Sequence, residues 1–364
     1  MQLNHLEVCD FRNITLADID LSPGINLLVG ENGAGKTAIL EAVFLLARGR
    51  SFRTTHPKQL IRHNAPELIV RGEVECAQLV HRLARAKSRS GETRARIDGE
   101  AALKQSRFAE LMPLQTLLPG IADLVLDGPS IRREFVDWGL FHVEHQYLDL
   151  TRRYRKALAQ RAAWLRGAQG LNFDQDPWAM DIAKNGAQIN MRRRHFVDSL
   201  NERIYNVIEA LGAQFEVKLA YQGANIAVDE AALAAQIADS YERDCRRGIT
   251  HTGPHRNDID ILVTGTRARY VVSRGQAKLI ASAITLAYCA ELRHRSDILP
   301  ILLLDDFGAE LDGVHRERFF HELERIGCQV IATTTDQPEH LVGHALTPLA
   351  RVFHVVQGTI SRYS

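Results

Sequence analysis

The chain has 364 residues and 45% hydrophobic content, which supports a genuine core and about two to three domains of ordinary size. Lys plus Arg (45) nearly cancel Asp plus Glu (44), so any hold on nucleic acid has to come from local patches and not from overall charge. Cys9, Cys76, Cys245, Cys289 and Cys328 are scattered and show no C-x-x-C spacing, there is no leader pattern, and no apolar run reaches the roughly 18 residues of a spanning helix; these features argue against a disulfide framework, a zinc site, secretion and a membrane span, and point to the cytosol.

In chain order, Leu3–Val8 and Ile25–Val29 read as strands, and the second runs into a glycine-rich loop followed by a helix over Lys36–Ala47. Residues 69–97 alternate polar and apolar as antiparallel strands do, with a basic stretch over His81–Arg96, so a β lobe is expected before Gly99. From about Trp138 to Gly248 the pattern is that of long polar helices. Phe196, Val197, Leu200, Ile204, Val207, Ile208 and Leu211 stand at helical spacing, Gly167–Pro177 forms a break, and Phe215, Val217, Leu219 and Tyr221 alternate as one strand. After Gly253 strand and helix alternate again, and Ile301–Leu304 and Val330–Ala332 suit a buried parallel sheet. The expected organisation is an α/β ATPase head built from 1–138 and 250–364, with a mostly helical lobe over 139–249 inserted between its halves.

The run Gly30-Glu31-Asn32-Gly33-Ala34-Gly35-Lys36-Thr37 fits G-x-x-x-x-G-K-[ST] between a strand and a helix. In that pattern backbone N–H groups close around phosphate, Lys36 reaches the β and γ phosphates of ATP, and Thr37 ligates Mg²⁺. A magnesium-phosphate site also needs a carboxylate at the end of a neighbouring strand, and Asp305-Asp306 follows Ile301–Leu304. Asp305 is expected in the metal shell, and Asp306 is expected to orient or deprotonate the attacking water. Ser273-Arg274-Gly275-Gln276 is read as ending a strand and opening the helix Leu279–Leu292, a second anion site at a helix N-terminus. Ala309-Glu310-Leu311-Asp312 and Thr333-Thr334-Thr335-Asp336 lie on loops positioned to touch nucleotide or a second subunit.

With these runs the sequence resembles the ABC-type ATPase superfamily and, within it, the RecF family of recombination and repair proteins over essentially its whole length. The resemblance is carried by Asp10–Asn13, Gly30–Thr37, Gly49–Thr54, Gly128–Trp138, Gly253–Arg256, Ser273–Gln276 and Leu303–Asp306 with Glu310–Asp312. It implies that Arg12 and Asn13 join the nucleotide-binding set, and that Ser273, Gly275 and Gln276 form the signature loop touching the γ-phosphate held by the opposite subunit. It also implies an ATP-induced homodimer on DNA, the partner proteins RecO and RecR, loading of the recombinase, and roles in replication and the SOS response, while the shorter reach of Asp306 than a glutamate leads to an expectation of slow hydrolysis. Ala38 and Ala309 depart from the family's frequent Asn and Ser, Thr334 or Thr335 stands where transporters place a switch His, and Asp306 replaces their Glu. Gly120 after Pro119 departs from a frequent acid, which leaves Gln115 as a weak candidate for the glutamine loop.

Three basic clusters, Arg82–Arg96, Arg152–Lys156 and Arg192–His195, suit sequence-independent contact with the DNA backbone. For Arg50, Arg53, Arg132 and Arg133 lobe packing and phosphate contact both stay open. The competing readings are a transporter ATPase subunit, a chromosome-organising ATPase with a long coiled-coil arm, and a metal nuclease accessory to an ATPase head; the second is opposed by the roughly 110 residues between Trp138 and Gly248 and their break, and the third by the lack of a separate acidic cluster outside the Asp305 region.

Overall fold

A computed structural model of the chain describes residues 1–167, 172–222, 226–306, 311–335 and 350–362. They fall into two compact units: Met1–Ile121 with Glu209–Ala213 and Arg274–Ser364, and Ala122–Ile208 with Gln214–Ser273. The chain starts with β1 (Gln2–Phe11), β2 (Ile14–Asp20), β3 (Ile25–Val29), α1 (Lys36–Arg48), β4 (Glu67–Cys76), β5 (Leu79–Ser88), β6 (Thr93–Ile97), β7 (Glu100–Ala101), α2 (Gln105–Leu111) and β8 (Leu114–Leu117). It continues through α3 (Asp123–Leu126), α4 (Pro129–Val143), α5 (Tyr147–Leu165), α6 (Ala179–Leu211), β9 (Val217–Gln222), α7 (Glu230–Asp239), α8 (Tyr241–Arg247), β10 (Asp258–Val263) and β11 (Thr266–Arg267). It ends with α9 (Arg274–Ser296), β12 (Ile301–Leu304), α10 (Gly313–Ile326), β13 (Val330–Thr334), β14 (Arg351–Val356) and β15 (Thr359–Arg362).

The first unit holds two sheets. One is antiparallel, in the order β2-β1-β4-β5-β6-β7; the other runs β15-β14-β3-β13-β12-β8 and is parallel except for the β14–β15 hairpin. Their sequences separate them: β4 alternates buried and less buried residues, as a sheet with one wet face does, whereas every residue of β3, β12 and β13 is buried. Helix α1 is buried at every position from Ala38 to Ala47, and its side chains join one core with Val8, Leu68 and Val70 of the antiparallel sheet and Leu28, Leu303 and Ile331 of the parallel one. A helix apolar on all sides requires such cover. The C-terminal end of α1 is capped from β5 and α2: Arg85 Nε donates to Leu46 O (2.8 Å), Lys87 Nζ to Gly49 O (3.0 Å) and Gln105 Nε2 to Ala47 O (2.8 Å). Cations and amide donors at that end meet the carbonyls that the helix leaves unpaired.

The second unit combines helices with the three-stranded antiparallel sheet β11-β10-β9. All seven apolar positions read as one stripe over Phe196–Leu211 are buried along α6. The edge of β9 is closed by Asn201 of α6, whose amide accepts from Leu219 N (2.7 Å) and donates to Leu219 O (2.9 Å). This pairing blunts an open strand edge. The limits of this unit differ from the sequence-based ones at 138/139 and 249/250. It begins with α3 and α4 and extends through β10 and β11, because Arg132 of α4 makes a bidentate pair with Asp258 of β10 (3.0 and 2.9 Å) and β10 is hydrogen-bonded to β9.

A candidate nucleotide site in the first unit

The glycine-rich loop leaves β3 at the carboxyl edge of the parallel sheet, and Asp305 leaves β12 at the same edge, with β13 between them. Ligand sites of open α/β sheets gather at that edge. Three side chains cross the gap: Thr37 Oγ1 donates to Asp305 Oδ1 (2.9 Å), Thr333 Oγ1 donates to the same oxygen (2.7 Å), and Asp306 N donates back to Thr333 Oγ1 (2.8 Å). Gly30 N reaches Thr334 O at 3.3 Å and Gly358 N reaches Ala34 O at 2.7 Å, so β13 and the β14–β15 turn brace the loop from both sides. Glycine is required at position 30 because a Cβ there would stand 2.2 Å from Val355 O, and at position 35 because φ is 118°.

Lys36, nearly buried, donates from Nζ to Gly30 O (2.6 Å) and Glu31 O (3.0 Å). Burial lowers its pKa below the ordinary lysine value, while Asp306 and Asp305 pull it upward. From the loop, Glu31, Asn32, Gly33, Gly35, Lys36 and Thr37 line a cavity of about 300 Å³ together with Asp305, Asp306, Arg12, Asn13, Ala38, Arg53, Pro119 and Thr333. Asn13 Nδ2 donates to Gly33 O (3.2 Å), and Arg12 and Asp306 both hold left-handed backbone, with φ of 56° and 49°. Such conformations in residues other than glycine concentrate at functional sites.

One hydroxyl and one carboxylate, Thr37 and Asp305, suit Mg²⁺, which prefers few protein oxygens and completes its shell with water and phosphate. Among the described residues no group of three His, Cys, Asp or Glu side chains is placed to hold a metal ion.

Most of the residues expected at the site line this one cavity, including Gly33, Gly35, Glu31 and Asn32, whereas Gly30 and Ala34 do not. Ser273, Gly275 and Gln276 do not line it. A one-turn 3₁₀ helix over Ala268–Tyr270 separates them from β11, so Ser273 follows a turn and not a strand, and the exposed Gly275 and Gln276 lie in the first turn of α9. Gln115 sits within β8, paired with Leu302, and Pro119 reaches the cavity in its place. Glu310, Ala309 and Asp336 lie outside the described residues. Sequence reading missed Thr333 as the bridge to Asp305, and it missed Glu41, a fully buried carboxylate behind Arg12 and Arg53. The signal for Glu41 was present, since it is the one charged residue between Ala38 and Ala47 in an otherwise apolar helix.

Three of the four arginines left open are placed by their surroundings. Arg53 lines the cavity, whereas Arg132 and Arg133 pack the second unit, the former onto Asp258, Leu124 O and Asp127 O and the latter onto Asn257 O (2.8 Å). The basic clusters also divide. Arg85, Lys87 and Arg193 are buried, and Arg193 forms a bidentate pair with Asp137 (both 2.8 Å), so these three belong to the core and not to a DNA surface. Arg82, Arg89, Arg94, Arg96, Arg152, Arg153, Arg155, Lys156 and Arg194 are exposed.

Residues 2–361 match the model of the RecF/RecN/SMC N-terminal domain family. DNA replication and repair protein RecF of Shewanella baltica (strain OS155) is 36% identical over 362 residues, 99% of each chain, and that of Shewanella oneidensis is 36% identical over 363. The chain belongs to the RecF family. A solved structure described as the recombination mediator protein RecF-ATPrS in the RecFOR pathway has the same fold, with a TM-score of 0.84 at 24% identity over 100% of this chain and 98% of that one. An SMC head domain from Pyrococcus furiosus with an extended coiled coil, bound to the C-terminal domain of ScpA, aligns with a TM-score of 0.64 at 14% identity over 99% and 95%. The fold is thus a RecF-type ATPase head, and full-length relatedness to replication and repair proteins disfavours the transporter reading. No helix among the described residues is long and apolar enough to cross a membrane.

Proposed function

We propose that this RecF-family chain is an ATP-dependent DNA-binding protein of replication and recombinational repair, in which ATP joins two copies and the joined pair grips DNA at gaps or junctions. The observation that carries the reading is the Thr37–Asp305–Thr333 chain of hydrogen bonds, which sets a phosphate loop and a strand-end carboxylate around one cavity. Lys36 turns from the loop carbonyls to the β and γ phosphates, and the loop N–H groups hold the remaining phosphate oxygens. Thr37 and Asp305 hold Mg²⁺, which when bound neutralises phosphate charge. Asp306, at the cavity wall, orients or deprotonates the attacking water; its shorter reach than the glutamate of transporters gives slow hydrolysis. Ser273, Gly275 and Gln276 of each copy complete the cavity of the other, which fits their exposure and their absence from their own cavity. Hydrolysis then releases the pair, so turnover times the grip.

The exposed basic residues of α5 and β5–β6 contact DNA phosphates, which makes binding sequence-independent and strongly salt-sensitive. RecR- and RecO-type proteins are the expected partners in loading the recombinase in the cytoplasm, within replication and the SOS response. Lys36→Met is expected to abolish ATP-dependent retention of gapped duplex DNA in a mobility-shift assay. Retention equal to the parent chain in that variant would defeat the proposal.

A further inference from the structure

Glu41 is fully buried inside α1, and a carboxylate removed from water is stable only when donors surround it. Its donors come from two segments that reach the nucleotide cavity. Arg12 offers Nε at 2.8 Å and Nη2 at 2.7 Å, the Ser51 hydroxyl donates to the same carboxylate, and Arg53 Nη1 stands at 4.0 Å. Ser51 Oγ accepts in turn from Arg53 N (2.8 Å) and Thr54 N (3.0 Å), so the carboxylate holds the turn as well as the side chains. Arg12 is fixed from its other side by Arg12 N to Leu60 O (2.7 Å) and Nη1 to Gln59 O (3.0 Å). Glu41 does not line the cavity, but Arg12 and Arg53 do. One buried negative charge is therefore shared by two guanidinium groups, and the excess positive charge faces the cavity.

We propose that Glu41 is a positioning residue for anion binding: it anchors Arg12 and the Ser51–Thr54 turn so that Arg12 and Arg53 present a fixed cationic wall to a nucleoside triphosphate. The inference rests on the ATP-binding reading above. The sign of the effect separates it from simple electrostatics. Removing a negative charge beside the cavity raises the local potential and by itself tightens anion binding. Removing an anchor frees two long side chains, whose ordering then has to be supplied by the ligand, and weakens binding.

ATP and inorganic tripolyphosphate are titrated calorimetrically into the full-length chain, and melting is followed in parallel. Glu41→Gln is expected to weaken ATP about tenfold, the equivalent of one charge-assisted hydrogen bond, and Glu41→Asp is expected to recover part of the loss. In an Arg12→Ala/Arg53→Ala background Glu41→Gln is expected to add no further loss, because the residue acts through those arginines. Ser51→Ala leaves the Arg12–Glu41 pair intact and is expected to weaken ATP a few-fold, roughly the loss of one neutral hydrogen bond, which keeps the test alive where Glu41→Gln does not fold. Tighter or unchanged ATP binding in Glu41→Gln, an equal loss in the double-arginine background, or parent-like binding in Ser51→Ala would each overturn the proposal. Loss of ATP binding in Lys36→Met tests the nucleotide reading separately, and a parent chain that takes neither ATP nor tripolyphosphate overturns both.

Discussion

Arg161 shows how a single buried charge organises the second unit. It is fully enclosed, donating to Asp176 (2.7 Å), Asp244 (2.7 Å) and Thr250 (2.8 Å), partners 15, 83 and 89 residues away in sequence. Replacing it with leucine leaves two buried carboxylates without their cation, and we expect a loss of about 3–5 kcal/mol in denaturant unfolding. A neighbouring histidine gives the pH dependence. His255 donates from Nε2 to Thr250 O (2.9 Å) and accepts from the Tyr154 hydroxyl (2.7 Å), and burial pushes its pKa down from 6.5 to about 4. Between those values the unfolded chain binds the proton and the folded chain does not, so this group's contribution to stability falls as pH drops from 6.5 toward 4. Thermal melting across that window is expected to lose part of its slope in His255→Gln; an unchanged slope would remove His255 as the cause. None of these pairings was legible beforehand. A local run shows that Arg132, Arg133 and Arg193 are basic, but whether each meets water, phosphate or a carboxylate depends on partners such as Asp258 and Asp137 that only the tertiary fold supplies.

Among the elements, the phosphate loop and its flanking strand and helix were readable because the chemistry is local. Glycines, a lysine and a threonine at fixed spacing follow an all-apolar strand that only a covered parallel sheet accommodates. What the loop rests on was not readable, since β14 lies more than 300 residues away in sequence yet sets the backbone clearance at Gly30. Gly30→Ala is expected to displace the loop from Val355 and abolish ATP binding in a nucleotide titration while the chain still folds. Strand β5 makes the matching point about charge. Its alternation is correct, but alternation sends Arg85 and Lys87 inward, where Arg85 stacks 3.8 Å from the Phe108 ring centroid and burial lowers its pKa to about 10. Arg85→Ala is therefore expected to destabilise the chain by about 2–4 kcal/mol through lost packing and uncapped α1 carbonyls, whereas Arg82→Ala, exposed on the same strand, is expected to leave melting unchanged and reduce only the salt dependence of DNA binding. Melting curves and salt-titrated DNA binding of the two variants check the contrast.

For the whole molecule, the α/β head assembled from both ends of the chain was legible in the return of apolar strand runs after Gly253. The limits of its partner unit were not. Helical periodicity begins late and ends early relative to the unit, whose sheet pairs β9 with β10 across the intervening helices α7 and α8. The RecF-type head carries its phosphate loop and strand-end carboxylates in one cavity, and Ser273 with the first turn of α9, Arg274–Gln276, is exposed and outside that cavity. If each nucleotide is completed by the Ser273 loop of a second copy, ATP has to control assembly. Equilibrium sedimentation with and without ATP is the most direct test. The parent chain is expected to shift from monomer to dimer with ATP, and Ser273→Arg is expected to bind ATP yet stay monomeric. Dimers of Ser273→Arg at parent-like affinity, or a parent chain whose association ignores ATP, would contradict the shared site.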